Sequence, residues 1–126
     1  WNSKGIRVVY LGNSIAQAAM ELLVHLHSAQ VLNSYYQLEV SFSENCLEHI
    51  ALDDLPADWA QPTMASSVQV VGDAWVASGS SLVLQVPSAT VKGEYNYLLN
   101  PRHPDFATLT VGQITLFNFD VRILKR

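Results

Sequence analysis

Several features that would assign a function at once are missing from this 126-residue chain. It has a single cysteine, Cys46, so no internal disulfide can form, and we expect a reducing, cytoplasmic compartment. No apolar run approaches the roughly 20 residues that a membrane-spanning helix needs, so we expect no membrane association. Seven basic residues stand against eleven acidic ones, and the longest basic run is Lys125–Arg126, so we expect no direct binding of nucleic acid.

Signatures of several common active sites are also missing. The glycines do not form a GxGxxG pattern, and no GxxxxGK[ST] phosphate loop occurs. His25 and His27 lie two apart on a predicted helix and therefore diverge, and neither His49 nor His103 has neighbours at metal-ligand spacing. We therefore expect neither a metal ion nor a resident cofactor.

The residues that are present predict one domain of the α+β class over residues 1–126. This length supports one hydrophobic core and is too short for two domains. Hydrophobic periodicity predicts two main helices and five or six strands, without the strict alternation of a doubly wound fold. We expect mixed, mostly antiparallel sheets flanked by the two helices. Charged residues make up only 14% of the chain, which indicates that a partner covers part of the surface.

The segment Ile6–Leu26 organises the chain as a strand, a tight break and a long helix. Arg7–Leu11 is rich in β-branched and aromatic residues, Gly12–Asn13 interrupts it, and Ser14 suits the N-cap of the helix. Apolar residues at helical spacing predict a buried stripe, formed by Ile15, Ala18, Ala19, Leu22, Leu23 and Leu26. Polar residues four apart predict a ridge on the opposite flank, formed by Gln17, Glu21 and His25.

Two polar residues of this unit have competing interpretations. Glu21 on the polar flank of a helix is ordinarily a solvated carboxylate, but this helix is apolar on most sides, which favours a cleft or an interface. Tyr10 at the end of a buried strand is ordinarily a core tyrosine with a bonded hydroxyl. The tight connection places the end of the strand beside the first half of the helix, so both side chains can reach one cleft.

The remaining elements follow from alternation and helical spacing. Tyr35–Ser43 predicts one half-solvated antiparallel strand, and residues 44–61 are predicted to be loop with a single helical turn. A second helix is predicted from Pro62 to Gly79, with an apolar stripe formed by Met64, Val68, Val71 and Trp75. Three further strands are predicted, namely a central one at Leu82–Val86, one at Glu94–Leu99 and a long closing one at Gln113–Ile123.

Polar residues near the strand ends also have more than one interpretation. Ser88 follows a proline where the central strand leaves the sheet, and a serine there ordinarily closes a turn or caps it. Asn96 and Asn100 flank the apolar end of the next strand, where they most simply satisfy backbone groups of the loop. Asp120 and Arg122 share one face of the closing strand and can pair with each other.

Four segments follow the order and spacing of known motifs. The chain opens with WNSKGIRVVYLGNSIAQAAMELLVHL, and later contains VPSATVKGEYNYLLNP, a Pro-Ser after a strand and then Asn-x-Leu-x-Asn-Pro. A helix and a strand precede that serine in GDAWVASGSSLVLQVPS, and the closing strand reads FNFDVRI. Together these segments resemble the RES-domain toxins over nearly the whole chain.

The resemblance implies a fold, a function and partners. RES domains are toxins of two-component toxin–antitoxin modules, each paired with a helix-turn-helix antitoxin, and we expect a homodimer or a larger assembly with that partner. Their fold is similar to that of ADP-ribosyltransferases, with a cleft between sheet and helices. They consume NAD⁺ as a substrate by cleaving the bond between nicotinamide and ribose, and the acceptor is water, phosphate or a protein.

Four residues match functional positions of the family. Glu21 matches the glutamate of the ELLVH motif, which would favour positive charge on the ribose as the bond breaks. Tyr10 matches a tyrosine that would stack on the nicotinamide and orient it. Ser88 matches a serine that would hold the nicotinamide carboxamide or the ribose. Asn100 matches the asparagine of the Asn-Pro motif and is expected to contact NAD⁺.

One position departs from the family pattern. The family has an arginine directly before the tryptophan that here is Trp1, where it would hold the diphosphate or ribose of NAD⁺, and Arg7 is not its equivalent. We therefore expect that an N-terminal segment is missing and that the chain as given binds NAD⁺ weakly or is inactive. A catalytically inactive partner-binding domain is one alternative to the toxin, and a transferase that ADP-ribosylates a protein is another.

Overall fold

The computed structural model describes residues 1–25, 35–61 and 66–124, and these residues form an α+β fold. In chain order its helices and strands are β1 (Val9–Gly12), α1 (Ile15–His25), β2 (Tyr35–Gln37), β3 (Val40–Ser41), β4 (Leu47–His49), α2 (Ser66–Ser78), β5 (Val83–Pro87), β6 (Tyr95–Leu99), β7 (Thr110–Val111) and β8 (Thr115–Phe117). Short 3-10 turns lie at Glu44–Cys46, Leu52–Asp54, Pro104–Thr108 and Val121–Leu124. The predicted fold class is confirmed.

A four-stranded sheet in the order β1-β6-β5-β4 forms the centre of the fold. β6 lies antiparallel between β1 and β5, and β4 runs parallel to β5. Two small antiparallel ladders, β2 with β8 and β3 with β7, accompany this sheet. Because β5 has hydrogen-bonded neighbours on both sides and is mostly buried, the predicted central strand at Leu82–Val86 is confirmed within one residue.

The two faces of the sheet have separate hydrophobic cores. One face, which we call the α2 face, packs against helix α2 through Leu84, Val86, Leu98 and Trp75. The buried residues of the opposite core are Leu82, Val83 and Leu99. Residues directly opposite each other across paired strands share a face. Tyr10 pairs with Leu98, and Asn96 pairs with Val86, so Tyr10 and Asn96 both lie on the α2 face.

Helix α2 packs through the apolar stripe that its sequence predicts. Val68 and Trp75 are buried on this stripe. Gly72 is buried with them, and a Cβ at this position would overlap the carbonyl oxygen of Trp1. The glycine therefore lets the N-terminal segment lie directly against the helix, where Trp1 joins the core of the α2 face.

The predicted single strand Tyr35–Ser43 is wrong in extent. It is interrupted between β2 and β3, and the two pieces join different ladders. Tyr36 and Leu38 are exposed, so the apolar face of the alternating pattern meets a core only in its last part. There, Val40 and Phe42 pack against the central sheet.

Two further predictions of strand extent are wrong. The predicted closing strand Gln113–Ile123 is extended only within β8. Asp120 and Arg122 pair as predicted, with 2.6 Å between carboxylate and guanidinium, but they do so beside a 3-10 turn rather than along a strand. Conversely, β4 lies in a stretch predicted to be loop, because three residues are too few to reveal an alternation.

Some predictions fall outside the described residues. They concern the start of the second helix at Pro62, the stripe residue Met64 and the stripe residue Leu26 of the first helix. Within the described ranges, neither helix has the length and hydropathy that crossing a membrane requires.

Gly72→Ala is expected to destabilise the protein by about 1–3 kcal/mol, because the added methyl group overlaps the Trp1 carbonyl and overpacks the contact. Helix propensity alone predicts the opposite sign, since alanine is favoured over glycine by about 1 kcal/mol. Urea unfolding measures the difference. Val70→Ala, at an exposed position of the same helix, is the matched control. A Gly72→Ala protein more stable than wild type would contradict the packing described.

Candidate active site

Helix α1 begins directly over the end of β1, and this start determines where its side chains point. The Ser14 hydroxyl accepts from the backbone N–H of Gln17 at 3.1 Å, which confirms the predicted cap. Gly12 ends β1, and a Cβ there would lie 2.5 Å from the backbone nitrogen of Ala18. The helix can cross the sheet at this short range because position 12 has no side chain.

The side of α1 that faces the sheet is the polar ridge rather than the predicted apolar stripe. Gln17 is only 4% exposed, whereas Ile15 of the predicted stripe is 57% exposed, and Leu22 and Leu23 of that stripe are half-buried. The predicted orientation is wrong because the sheet offers polar partners at this point. Gln17 and Glu21 both hydrogen-bond to Asn96 of β6, which compensates the loss of water around them.

Glu21 lies at the centre of a hydrogen-bond cluster that joins α1 to the ends of β5 and β6. Its Oε1 accepts from the Ser88 hydroxyl at 2.6 Å, the Asn96 amide at 2.8 Å and the Gln17 amide at 3.1 Å. Its Oε2 accepts from the Thr90 hydroxyl at 3.2 Å. The Gln17 amide also donates to Asn96 Oδ1 at 3.0 Å. We call these five residues the Glu21 cluster.

The donors to the Glu21 carboxylate are all neutral. Within the described residues, no ion pair involves Glu21. Among residues 1–25, 35–61 and 66–124, the carboxylate is therefore held by dipoles rather than by a basic side chain, and Ser88 and Asn96 beside it are buried. A preorganised negative charge of this kind stabilises a cation that develops next to it.

Ser88 closes a turn, as its sequence position predicts, and its hydroxyl also belongs to the Glu21 cluster. Its Oγ accepts from the backbone N–H groups of Thr90 and Val91 at 3.2 and 3.0 Å, which closes the turn after β5. Its hydroxyl proton is directed at Glu21. The side chain is buried, so the turn and the cluster hold each other in place.

Tyr10 lies on the same sheet face as the cluster. Tyr10 on β1 and Asn96 on β6 are diagonal neighbours across the two strands. Residues in this relation are about 7 Å apart. Tyr10 is 49% exposed because β1 is an edge strand, so its interpretation as a core tyrosine is wrong. Its hydroxyl donates to the Asn2 side chain. Partial burial, and then the nearby Asp73 carboxylate, raises the pKa of Tyr10, so the phenol stays protonated at neutral pH.

The N-terminal segment connects Tyr10 to α2. The backbone N–H of Ser3 donates to the Asp73 carboxylate at 2.8 Å, and the Ser3 hydroxyl donates to its other oxygen. Asn2 accepts from Tyr10 and donates to the carbonyl oxygen of Ile6 at 2.6 Å. The Ser3 hydroxyl, and then the Ser3 backbone N–H, lowers the pKa of Asp73. Helix α2, the segment and Tyr10 therefore form one connected unit.

Asn100 is not brought into the Glu21 cluster. It is buried, but its amide donates to the carbonyl oxygen of Val76 at 3.4 Å, and its Oδ1 accepts from the backbone N–H of Arg102 at 3.1 Å. Through these bonds Asn100 satisfies backbone groups, which is the role that its sequence position favours. Its part in NAD⁺ binding stays a prediction.

Sequence reasoning missed Gln17, Asn96 and Thr90 as site residues. The i, i+4 spacing of Gln17 and Glu21 was a usable signal, since it places both on one ridge of the helix. Asn96 had no such local signal, because its place on the face that carries Tyr10 depends on the register of β6 against its neighbouring strands. Thr90 had no comparable signal, since it lies in the turn after Ser88.

A cleft of about 760 Å³ opens beside β1 and α1. Tyr10 lies in its wall, and residues of β2 and β8 line it as well. This volume is within the range of small-molecule and cofactor sites. Glu21 does not line the cleft, so Tyr10 and Glu21 are related through the sheet face rather than through this cavity. No group of three or more metal-ligating side chains lies together among the described residues.

Comparisons with known proteins agree with one another. Residues 1–120 match the family described as RES domain. The chain is 35% identical over 124 residues to Toxin Res of Yersinia enterocolitica serotype O:8 / biotype 1B, covering 98% of this chain and 82% of that protein. It is 33% identical over 127 residues to Toxin Res of Photorhabdus laumondii, covering 99% and 81%. It is 32% identical over 130 residues to Prs ADP-ribosylating toxin of Sphingobium sp. strain YBL2, covering 100% and 80%.

Glu21→Ala is expected to lower the free energy of unfolding by about 1–3 kcal/mol, because buried donors of Ser88 and Asn96 lose their acceptor. Glu21→Gln should lower it by about 1 kcal/mol or less. Its amide oxygen can replace Oε1, and its amide nitrogen can donate to the Thr90 hydroxyl in place of Oε2. Urea unfolding compares the two variants. Equal losses in both would contradict this description of the cluster.

Ser3→Ala is expected to lower the melting temperature at pH 6 more than at pH 2.5. The Asp73 pKa is depressed in the folded protein, so its contribution to stability is present above the ordinary aspartate pKa of about 3.9. That contribution is lost as the pH falls through the lower folded-state pKa. Thermal unfolding at the two pH values measures the effect. A difference between Ser3→Ala and wild type that does not shrink in acid would contradict it.

Proposed function

This chain belongs to the RES domain family, and from that membership we propose that it is a toxin that cleaves the bond between nicotinamide and ribose in NAD⁺. The observation that carries the proposal is the Glu21 carboxylate, held by neutral donors on the sheet face that also carries Tyr10. One relative at 32% identity is named an ADP-ribosylating toxin, and ADP-ribosylation breaks this same bond.

The chemistry of that bond suits the Glu21 cluster. When nicotinamide leaves, positive charge develops at the anomeric carbon of the ribose. A fixed carboxylate beside this carbon stabilises the charge, and it costs little reorganisation because its donors are already in place. Glu21 is therefore the proposed catalytic residue, acting on the ribose through its charge.

Tyr10 is proposed to bind and orient the nicotinamide. Its half-exposed ring offers a face for stacking, and its hydroxyl is held by Asn2. An oriented leaving group raises the rate by limiting the geometries in which the bond breaks. Ser88 is proposed to act with Glu21, since its hydroxyl proton is already directed at the carboxylate. A hydrogen bond donated by Ser88 to the nicotinamide carboxamide would require the Ser88 hydroxyl to rotate away from Glu21.

Transfer to a protein is the second candidate function. The name of the Sphingobium relative favours it, whereas the family resemblance includes water and phosphate as acceptors. NAD⁺ labelled on its adenylate half distinguishes the two when it is added to cell lysate with the protein. Label that stays on a protein band supports transfer, and label that appears only in small products supports NAD⁺ depletion.

We also propose that the chain acts in a toxin–antitoxin module with a helix-turn-helix antitoxin. Two of the relatives described above are named Toxin Res, which supports the toxin half of this proposal. Expression in bacteria of the chain with one arginine added before Trp1 should arrest growth and lower cellular NAD⁺, and expression of its Glu21→Gln variant should do neither. Co-expression with the protein of the adjacent gene should restore growth.

The direct test is release of nicotinamide from NAD⁺ by the purified protein. Release is expected to be slow in the chain as given and faster when one arginine is added before Trp1. In that faster version Glu21→Gln should lower the rate by about 100-fold or more, because the charge is removed while the hydrogen bonds are kept. Glu44→Gln makes the same chemical change at an exposed glutamate outside the cluster and should match wild type. Comparison of the two versions tests whether the arginine that the family resemblance implies before Trp1 contributes to NAD⁺ binding.

The outcome that would contradict NAD⁺ cleavage is specific. If the wild-type chain and its arginine-extended version both leave NAD⁺ intact, a partner-binding domain without activity is the better description. If they release nicotinamide and Glu21→Gln does so at the same rate, Glu21 has no part in the chemistry.

A further inference from the structure

The two oxygens of the Glu21 carboxylate have unequal surroundings. Oε1 accepts three hydrogen bonds, from Ser88, Asn96 and Gln17, at 2.6, 2.8 and 3.1 Å. From the described residues, Oε2 accepts one, from Thr90 at 3.2 Å. A carboxylate oxygen has about two lone-pair sites. Oε1 is therefore saturated by the protein, and Oε2 retains capacity for a further donor.

The orientation of Asn96 depends on Gln17. Asn96 Oδ1 accepts from Gln17 Nε2 at 3.0 Å, so the other half of the Asn96 amide, its Nδ2, is the part directed at Glu21. Gln17 reaches Oε1 with the same Nε2 group. Both residues are more than nine-tenths buried, so water does not compete for these bonds. The three side chains form a closed triangle that sets the rotation of the carboxylate.

We propose that Gln17 and Asn96 are positioning residues that reserve Oε1 for the protein and leave Oε2 for the substrate. The substrate group that suits Oε2 is a hydroxyl of the nicotinamide-side ribose, which can donate to it beside Thr90 or in its place. This inference rests on the proposed cleavage of NAD⁺. Neither positioning residue touches the substrate in this arrangement, and both act through Glu21.

A merely structural role for the pair makes a different prediction. If Gln17 and Asn96 only stabilise the junction of α1 and β6, their loss lowers stability and leaves the rate constant of the remaining folded protein unchanged. If they position the carboxylate, kcat falls while KM changes little, because the interaction matters chiefly in the transition state. The separation of kcat from KM therefore decides between the two roles.

The test uses two substitutions that keep side-chain volume, Gln17→Met and Asn96→Asp, in the full chain. Each is assayed for nicotinamide release, and folding is checked by circular dichroism and urea unfolding. We expect kcat to fall by about 100-fold in each, since small misplacements of a catalytic group have effects of that size. Glu44→Gln and Asn45→Asp, at exposed positions outside the cluster, are the controls and should match wild type.

Asn96→Asp adds a readout that does not depend on stability. It places a second carboxyl at the Asn96 position, 2.8 Å from Oε1, and two carboxylates so close do not both ionise readily. The pair can share a proton at low pH and repels itself once that proton is lost. We expect kcat of Asn96→Asp to fall as the pH rises, through a step that wild type and Asn45→Asp lack. The other titratable side chains of β1 and α1, Tyr10 and His25, are the same in all of the proteins compared, so they do not account for an additional pH step in Asn96→Asp alone.

The outcomes separate this inference from the proposed function. Failure of both the wild-type chain and its arginine-extended version to release nicotinamide overturns the proposed function and the inference with it. Active wild type together with Gln17→Met and Asn96→Asp proteins that keep wild-type kcat and pH dependence overturns the inference alone. Loss of kcat at nearly constant KM, with the additional pH step in Asn96→Asp, supports it.

Discussion

The carboxylate of Glu21 ties helix α1 to the ends of β5 and β6 through bonds from four neutral donors. This interaction determines which side of the helix faces the sheet. Burial of Gln17 and partial burial of Glu21 are tolerated there because the sheet supplies matching donors and acceptors, and Ile15, Met20 and Val24 of α1 are left exposed. The cluster is therefore both a packing contact and a fixed negative charge.

The rest of the fold holds this charge in place. The central sheet has β5 in its interior, so the turn that carries Ser88 starts from a rigid strand. Two close approaches depend on glycine, one where α1 crosses Gly12 and one where the N-terminal segment crosses Gly72. The second approach connects Asp73 of α2 to Tyr10 through Ser3 and Asn2, so the tyrosine and the glutamate are fixed to the same sheet face by separate networks.

The fold class and the central strand could be predicted from the sequence, because a buried apolar run and helical spacing are local signals. The orientation of α1 could not be predicted. The spacing of its apolar residues favours burial of the side that carries Ile15, but the hydrogen bonds from Ser88, Thr90 and Asn96, which are distant in sequence, turn the side that carries Gln17 and Glu21 toward the sheet. Short strands such as β4 carry too few residues to show a pattern. The candidate site was predicted in part, with Glu21 and Ser88 from the family motif, whereas Asn96 required the register of β6 against β5.

A structure of the Glu21→Gln variant with NAD⁺ bound shows whether Glu21 faces the ribose, because this substitution keeps the cluster and removes the charge. We expect a hydroxyl of the nicotinamide-side ribose within about 2.6–3.2 Å of the side chain at position 21. We also expect the hydrogen bonds from Ser88 and Asn96 to be retained. NAD⁺ bound with that ribose away from the Glu21 cluster would contradict a role of Glu21 in breaking the bond between nicotinamide and ribose.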